Sequence, residues 1–381
     1  MPASSLAPTA AQGLPQLGRA LRATVDLGRL ARNLAAMRQA AKGLGILAVV
    51  KADAYGHGAV QVARALEDSG VEGFCVATLA EALELRREGI ASPILVFGSL
   101  RPESLPEAAA HGIDLTIVSA DHLRELSELV PRHPVGLHLK LDTGMGRSGI
   151  LVSELGTCLD RIKLLQPWIR GAMAQFAAAE DSDTSFTRQQ RSRFQDGLAQ
   201  LRDAGLDMPQ THHANSAGCL RGFTEGDTHV RCGISLYGLS ELEEARQAGL
   251  LPILELSAEV FRVVLIPAGT TVGYGSTYVA PHSVKLVTLN CGYADGYPRA
   301  LANRAWSGFQ GAVYPVVGQV SMDSVTVAVP ESLVIAPGDA MTLLSREPKD
   351  PHSVGNTARL LGTIPYEVTC ALNRRVIRSC A

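Results

Sequence analysis

Eight short β-like runs, each followed by a stretch whose apolar residues have helical spacing, recur between about residues 45 and 240, and this repeat constrains the fold most. The runs are 46–51, 74–77, 94–97, 115–118, 136–141, 169–175, 209–213 and 228–231. In 58–68, Ala59, Val62, Ala63 and Leu66 fall on one helix face, and in 78–87, Leu79, Ala82, Leu83 and Leu85 recur. Eight such units in succession predict an α/β fold closed as a (β/α)8 TIM-like barrel rather than an open sheet. Chemistry in such a barrel belongs at the carboxyl ends of the strands.

After about residue 250 the pattern changes to β-like runs at 258–266, 285–289, 313–317, 325–329 and 340–344, separated by Gly, Pro and Asp turns. The 381 residues are therefore expected to divide into a flexible extension over 1–20, a barrel over 21–247 and a mostly β C-terminal domain over 248–381. The run near 21–27 is assignable to either domain.

With 35 Lys and Arg against 37 Asp and Glu, a net charge of -2 gives no broad attraction for nucleic acid or an anionic membrane, so a small-molecule substrate is expected. The seven cysteines are odd in number and scattered, without a C-x-x-C pair. A reducing cytoplasm fits them better than a disulfide framework or a zinc site. The first twenty residues lack the basic and apolar segments of a secretory signal.

On the barrel map, Lys51 ends the first strand, Lys140 lies near the end of the fifth, Gln175 ends the sixth, His213 and Asn215 follow the seventh, and Arg231 ends the eighth. Lys51 alone reads equally as a strand-end lysine reaching for water or as an amine whose pKa is lowered by apolar neighbours, with a mobile glycine-rich loop in front. Two lysines and an arginine on one rim describe an anion site, for a phosphate or a carboxylate. The backbone of Asn215-Ser-Ala-Gly218 and of Arg231-Cys-Gly-Ile234 suits a phosphate cradle, because glycine permits close approach. Gly144-Met-Gly-Arg-Ser-Gly149 matches G-x-G-x-x-G but is weak as a dinucleotide signal, since the acid expected about twenty residues on is absent.

These residues carry a resemblance. Val49-Val-Lys-Ala-Asp-Ala-Tyr-Gly-His-Gly58 resembles the pyridoxal-phosphate lysine signature of alanine racemases. His138-Leu-Lys-Leu-Asp-Thr-Gly-Met-Gly-Arg147, His213-Ala-Asn-Ser-Ala217, Val230-Arg-Cys-Gly-Ile-Ser-Leu-Tyr-Gly238, Gly273-Tyr-Gly-Ser-Thr-Tyr278, Gly292-Tyr-Ala-Asp-Gly296, Ser321-Met-Asp323 and Tyr366-Glu-Val368 occur in family order. The resemblance runs from about Arg22 to the C-terminus and implies a barrel plus a β-domain.

It implies further that Lys51 holds pyridoxal 5'-phosphate, that Tyr55, Ser216, Gly233, Ile234 and Tyr366 bind its phosphate, and that Asn215 belongs to the same cofactor site. Tyr274 corresponds to the second catalytic residue, supplied by the partner subunit of a homodimer with shared active sites. Lys51 then serves the D side and Tyr274 the L side of a two-base reaction. Arg147 corresponds to a contact of both cofactor and substrate carboxylate, and the Met322 amide to the other carboxylate contact. Lys140 corresponds to a lysine carbamylated in many members. Arg231 corresponds to the partner of the pyridine nitrogen, which a facing cation keeps unprotonated. Tyr293 and Tyr366 correspond to residues that narrow the site toward a small side chain.

The implied activity is interconversion of L- and D-alanine, an isomerase step that supplies a peptidoglycan precursor. Alternatives are a racemase preferring another small amino acid such as serine, and a fold-related pyridoxal-phosphate decarboxylase or aldolase. Three positions depart from the family pattern: Gln175 stands for the usual histidine, Cys232 for a proline and Gln319 for an arginine. Gln175 cannot ionise.

Overall fold

The computed structural model describes residues 20–381, and the extension expected over 1–20 lies outside the described residues apart from its last position. The chain forms two compact units. One contains Val25–Leu254 and Arg346–Ala371, and the other contains Glu255–Ser345 and Leu372–Ser379 together with residues 20–24.

In the first unit the eight expected strands are present as β1 Gly45–Val49, β2 Gly73–Val76, β3 Ile94–Val96, β4 Ile113–Ile117, β5 Leu137–Asp142, β6 Ile169–Met173, β7 Gln210–His212 and β8 His229–Cys232. They are parallel and pair in the order β8-β1-β2-β3-β4-β5-β6-β7. Closure between β7 and β8 comes through a bridge of Asn215 to Arg231 and through the amides of Thr228 and Arg231, which donate to Thr211 O and Ala214 O at 2.8 and 2.9 Å. The ring is a nearly closed barrel.

Strand β5 shows why the pattern was readable. Leu137, Leu139 and Leu141 alternate with His138, Lys140 and Asp142, and all six are buried, as expected when helices cover the outside and packed side chains fill the inside. The helices start where capping residues place them. Asp26 accepts from the Arg29 amide ahead of Leu27–Ala41, and Thr78 and Glu81 form a reciprocal capping box ahead of Leu79–Arg87.

The second unit is mostly antiparallel sheet. Its longest strand, Leu254–Ile266, pairs with Val284–Leu289 and with Ala340–Leu344, and Val325–Val329 pairs with Val284–Leu289. The run that sequence left open, Leu21–Val25, lies in this sheet between Leu254–Ile266 and Ile377–Cys380. Ile266, Val272, Ala280, Val284, Leu286, Val317 and Ala328 pack as an apolar cluster within it. The helices Val354–Leu361 and Pro365–Cys370 belong instead to the barrel unit, where the backbone of Thr369 abuts Gly56 and the ring of Tyr366 lies 5.7 Å from that of Tyr55. No helix among the described residues is long and apolar enough to cross a membrane.

Candidate active site

Strand β1 ends at Val49, two residues before Lys51, and the segment beyond it is a left-handed turn rather than a mobile loop. Ala52, Asp53, Ala54 and Tyr55 have φ of 53, 54, 52 and 55°. Each such non-glycine residue costs roughly 1–2 kcal/mol, so the run must be held by its surroundings. Asp53 Oδ1 accepts from the Ala59 amide at 2.8 Å, and the Ala52 amide donates to Glu81 Oε1 at 2.8 Å. His57 Nδ1 lies 2.9 Å from Ala54 O and 3.0 Å from Tyr55 O; carbonyls only accept, so the proton is on Nδ1. The His57 ring stacks on Tyr237, whose hydroxyl donates to Val49 O at 2.8 Å. A Cβ at Gly56 would collide with the Thr369 carbonyl, so this position requires glycine for space as well as for its positive φ.

This turn presents Lys51 to a cavity of about 520 Å³ lined by the barrel unit alone. Burial, and then the Arg147 guanidinium, push the Lys51 amine below the ordinary lysine range, while the Glu81 carboxylate pulls it back up. A depressed amine has more of the neutral form that can act as a nucleophile.

Tyr55, Lys140, Arg147, Asn215, Ser216, Arg231, Gly233, Ile234 and Tyr366 line the same cavity, so the structure brings these expected site residues together with Lys51. Asn215 Oδ1 accepts from the Gly218 amide at 2.9 Å and starts the short helix Ser216–Leu220. Ser216 Oγ accepts from the Gly233 amide at 2.9 Å, joining the two segments expected to cradle a phosphate. At Gly233 a Cβ would lie 2.7 Å from the Tyr55 hydroxyl. Burial raises the Tyr55 phenol well above its ordinary pKa and keeps it a hydrogen donor. Burial also raises Tyr366, followed by the effect of Glu180, to which its hydroxyl is hydrogen-bonded.

Arg231 is 3% exposed and spends its donors on five acceptors. Nη1 donates to His212 O and, at 2.9 Å, to His212 Nδ1. Nη2 donates to Ala174 O at 2.6 Å, Gln175 Oε1 at 2.9 Å and His213 O at 3.1 Å. Because arginine only donates, His212 Nδ1 must accept, and its Nε2 proton points at His138 Nδ1, 2.8 Å away. His138 Nε2 in turn faces Asp114 Oδ2 at 3.9 Å. Burial, then Arg231, holds His212 well below the usual histidine pKa, so this ring stays neutral beside the guanidinium.

His212 and His138 are the site-supporting residues that sequence reasoning missed. Sequence placed the adjacent His213 on the rim, yet it offers Arg231 only its backbone carbonyl while its ring stacks on Phe176 at 3.8 Å. Period-two alternation along β7 was the available signal: it puts successive histidines on opposite faces.

Lys140 Nζ donates to Ser148 Oγ at 2.6 Å. Its amine is pushed down to about 8 by burial, then by Arg147 and Arg231. The Gly144–Gly149 motif is not a pyrophosphate turn. The Gly144 amide donates to Asp142 Oδ1 at 2.8 Å and the Gly146 amide reaches the same carboxylate at 3.0 and 3.2 Å, so Asp142 already occupies the donors a dinucleotide would need. The loop serves instead to present Arg147.

Two expected residues stand elsewhere. Tyr274 and Met322 belong to the second unit, where they are 76% and 53% exposed, Tyr274 on a one-turn helix that follows Gly273 at φ 74°. Tyr293, the other tyrosine of that unit singled out by sequence, is 42% exposed.

A family profile described as alanine racemase, N-terminal domain, matches residues 25–241, and one described as alanine racemase, C-terminal domain, matches residues 253–380. An alanine racemase from Carboxydothermus hydrogenoformans is 38% identical over 364 residues, covering 93% of this chain and 98% of that one. Alanine racemase 2 of Bacillus subtilis is 34% identical, with 93% of each chain covered. Among solved structures, the alanine racemase of a D-cycloserine-producing Streptomyces lavendulae superposes with a TM-score of 0.88 at 31% identity, covering 96% of this chain and 98% of that one. The Bacillus anthracis alanine racemase with bound L-Ala-P superposes with a TM-score of 0.86 at 33% identity over 95% of each chain.

Proposed function

The chain belongs to the alanine racemase family, and from that premise we propose that it interconverts L- and D-alanine with pyridoxal 5'-phosphate, using Lys51 and Tyr274 as its two proton-transferring groups. The observation that carries this reading is the meeting, in one cavity, of a depressed lysine amine, a buried arginine and a glycine-lined hydroxyl cradle. These residues fit the cofactor. Lys51 would hold it through its amine, Asn215, Ser216, Gly233, Ile234 and Tyr55 would surround its phosphate, and Arg231 would face its ring nitrogen. Tyr366 narrows the cavity, and its hydroxyl serves the phosphate once released from Glu180. When bound, pyridoxal phosphate spreads the negative charge left on the α-carbon after proton removal.

The chain's own residues do the rest. Racemisation takes the α-proton from one face and returns a proton to the other, which needs a group on each side. Lys51 exchanges the proton on the D side, where burial and Arg147 favour the neutral form that can accept. Arg231 stays charged, and its guanidinium disfavours a proton on any basic nitrogen set against it. Arg147 and the Met322 amide orient the substrate carboxylate. Lys140, also depressed, bonds through its neutral nitrogen to the carbon of carbon dioxide and releases a proton to solvent, leaving a carbamate anion that offsets the two neighbouring guanidinium groups.

Tyr274 acts on the L side from the partner subunit of a homodimer. Support for that arrangement is its place in the second unit, together with an exposure of 76% in the single chain. Lys51→Ala tests the whole reading. Because one amine carries both functions, the variant loses the visible absorbance of bound pyridoxal phosphate and racemisation together; persistence of the native absorbance band would sink it.

A further inference from the structure

Glu81 is half-buried on the first turn of the helix Leu79–Arg87, and its two carboxylate oxygens face in different directions. Oε2 accepts from the amides of Ala77 at 2.7 Å and Thr78 at 3.1 Å, while Thr78 Oγ1 accepts from the Glu81 amide at 3.3 Å. Together these form a helix cap. The other oxygen has no part in that cap. Oε1 accepts from the amide of Ala52 at 2.8 Å, 29 residues away in sequence and at the first residue of the left-handed run.

From this geometry we infer that Glu81 is a positioning residue for Lys51, its carboxylate clamping the start of the turn that carries the amine to the end of the neighbouring strand. The Asp53 and His57 bonds described above act within the turn, over spans of 2 to 6 residues, and hold its shape. Glu81 instead anchors it to the next strand and helix of the barrel, which fixes where the amine stands. Three amide donors on one carboxylate leave little room for substitution. Glutamine offers one accepting oxygen and turns an NH2 toward the amides on the other side. Aspartate keeps both oxygens but lacks a methylene and cannot span the two strand ends.

The carboxylate has a second effect on the same amine. Burial and Arg147 drive Lys51 toward the neutral form, and the Glu81 charge opposes them. Glu81 therefore sets both the place of the amine and the pH at which it becomes a base.

The inference rests on Lys51 as the amine that takes pyridoxal phosphate, and the test separates the two claims. The full-length protein is labelled with trace acetic anhydride across about pH 6 to 10, with and without saturating pyridoxal phosphate, and the Lys51 peptide is quantified by mass spectrometry. Protection of Lys51 by pyridoxal phosphate in the wild type is the control; its absence overturns the role of Lys51 and this inference with it. With protection established, Glu81→Gln is expected to move the Lys51 labelling midpoint to lower pH and to slow pyridoxal phosphate capture about tenfold, the scale of a displaced reacting group. Glu81→Asp retains the charge, so its midpoint stays nearer to wild type while capture still slows; it also serves where the glutamine variant folds poorly. Thr78→Ala removes the cap but not the clamp, and lowers Tm without moving the midpoint. Equal loss of Tm in Glu81→Gln and Thr78→Ala, with the Lys51 midpoint and capture rate at wild-type values in both, would reduce Glu81 to a helix cap and overturn the inference.

Discussion

Lys51 and Arg231 are two cations at adjacent strand ends of one barrel, and they are held in opposite ways. Arg231 is 3% exposed and fixed by five acceptors drawn from β6, β7 and the residues after them. Lys51 is only partly buried, and it is the backbone carrying it that is pinned, through Glu81, Asp53 and His57. The first arrangement locks a charge in place. The second locks a position and leaves the amine free to gain and lose a proton, with burial and Arg147 lowering the cost of losing it. A barrel rim can thus hold a fixed electrostatic partner beside a reactive amine, because side-chain bonds restrain one and main-chain bonds the other.

The largest effect is expected on removing, in separate chains, the two groups proposed to move the proton. Lys51→Ala and Tyr274→Phe proteins are each expected to be inactive in racemisation. Mixed under subunit exchange, half of the dimers pair one of each, and each mixed dimer has one intact site, so about a quarter of wild-type activity should return. Recovery would extend the contrast: the fixed cation is supplied within one barrel, whereas the reactive amine is completed by another chain. No recovery, with exchange proven by mass-tagged subunits, rejects the shared site.

How much of this was visible beforehand depends on the kind of restraint. The eight barrel strands were legible as short β-like runs, continuously apolar in β1 to β3 and alternating apolar with polar in β4 and β5, and the helices between them carry periodic apolar faces and capping residues. The convergence of Lys51, Lys140, Asn215 and Arg231 followed from strand ends alone. The left-handed run was not legible: nothing in the sequence of Ala52, Asp53, Ala54 and Tyr55 demands positive φ at all four, and contacts distant in sequence such as those of Glu81 and Thr369 help hold it. The return of Arg346–Ala371 to the barrel unit was equally hidden, since its helices are short and their partners lie about 300 residues earlier. Gln175 was placed in the arginine's network from resemblance, and its Oε1 does accept from Arg231 at 2.9 Å.

A smaller effect is expected at the fixed cation itself. Arg231→Lys keeps the charge but offers three donors to five acceptors, so at least two buried acceptors lose their partners and His212 loses the donor that fixes its tautomer. A destabilisation of about 3 kcal/mol is expected at roughly 1–3 kcal/mol per stranded group. Urea unfolding reads it as a lower midpoint at unchanged slope. If the midpoint stays at the wild-type value, the guanidinium fork is not what fixes this charge, and the contrast with Lys51 fails.

The smallest effect concerns Lys140, which sits between the two extremes: a buried amine, 6% exposed, with one hydrogen bond to Ser148 and a pKa pushed down to about 8. In the unfolded chain a lysine titrates near about 10.4. Below about 8 the amine is protonated in both states, and the native protein bears the full cost of a cation packed beside Arg147 and Arg231. Between the two values the unfolded chain keeps its proton while the native one has released it, so stability rises with pH through that window and levels off above it. The wild type should therefore gain roughly 1 to 3 kcal/mol relative to Lys140→Met from about pH 7.5 to 10.5 in buffer free of carbon dioxide. Adding bicarbonate then distinguishes two fates of the amine. If the neutral nitrogen bonds to carbon dioxide and releases its proton to solvent, the resulting anion stabilises the native state alone, raising the Tm of the wild type but not of Lys140→Met. The pH slope should flatten at the same time, because an anion has replaced the titrating cation. A flat difference between the two proteins already in carbon-dioxide-free buffer would mean that Arg147 and Arg231 do not load this lysine, and that an amine on this rim can be buried beside fixed cations without its proton becoming labile.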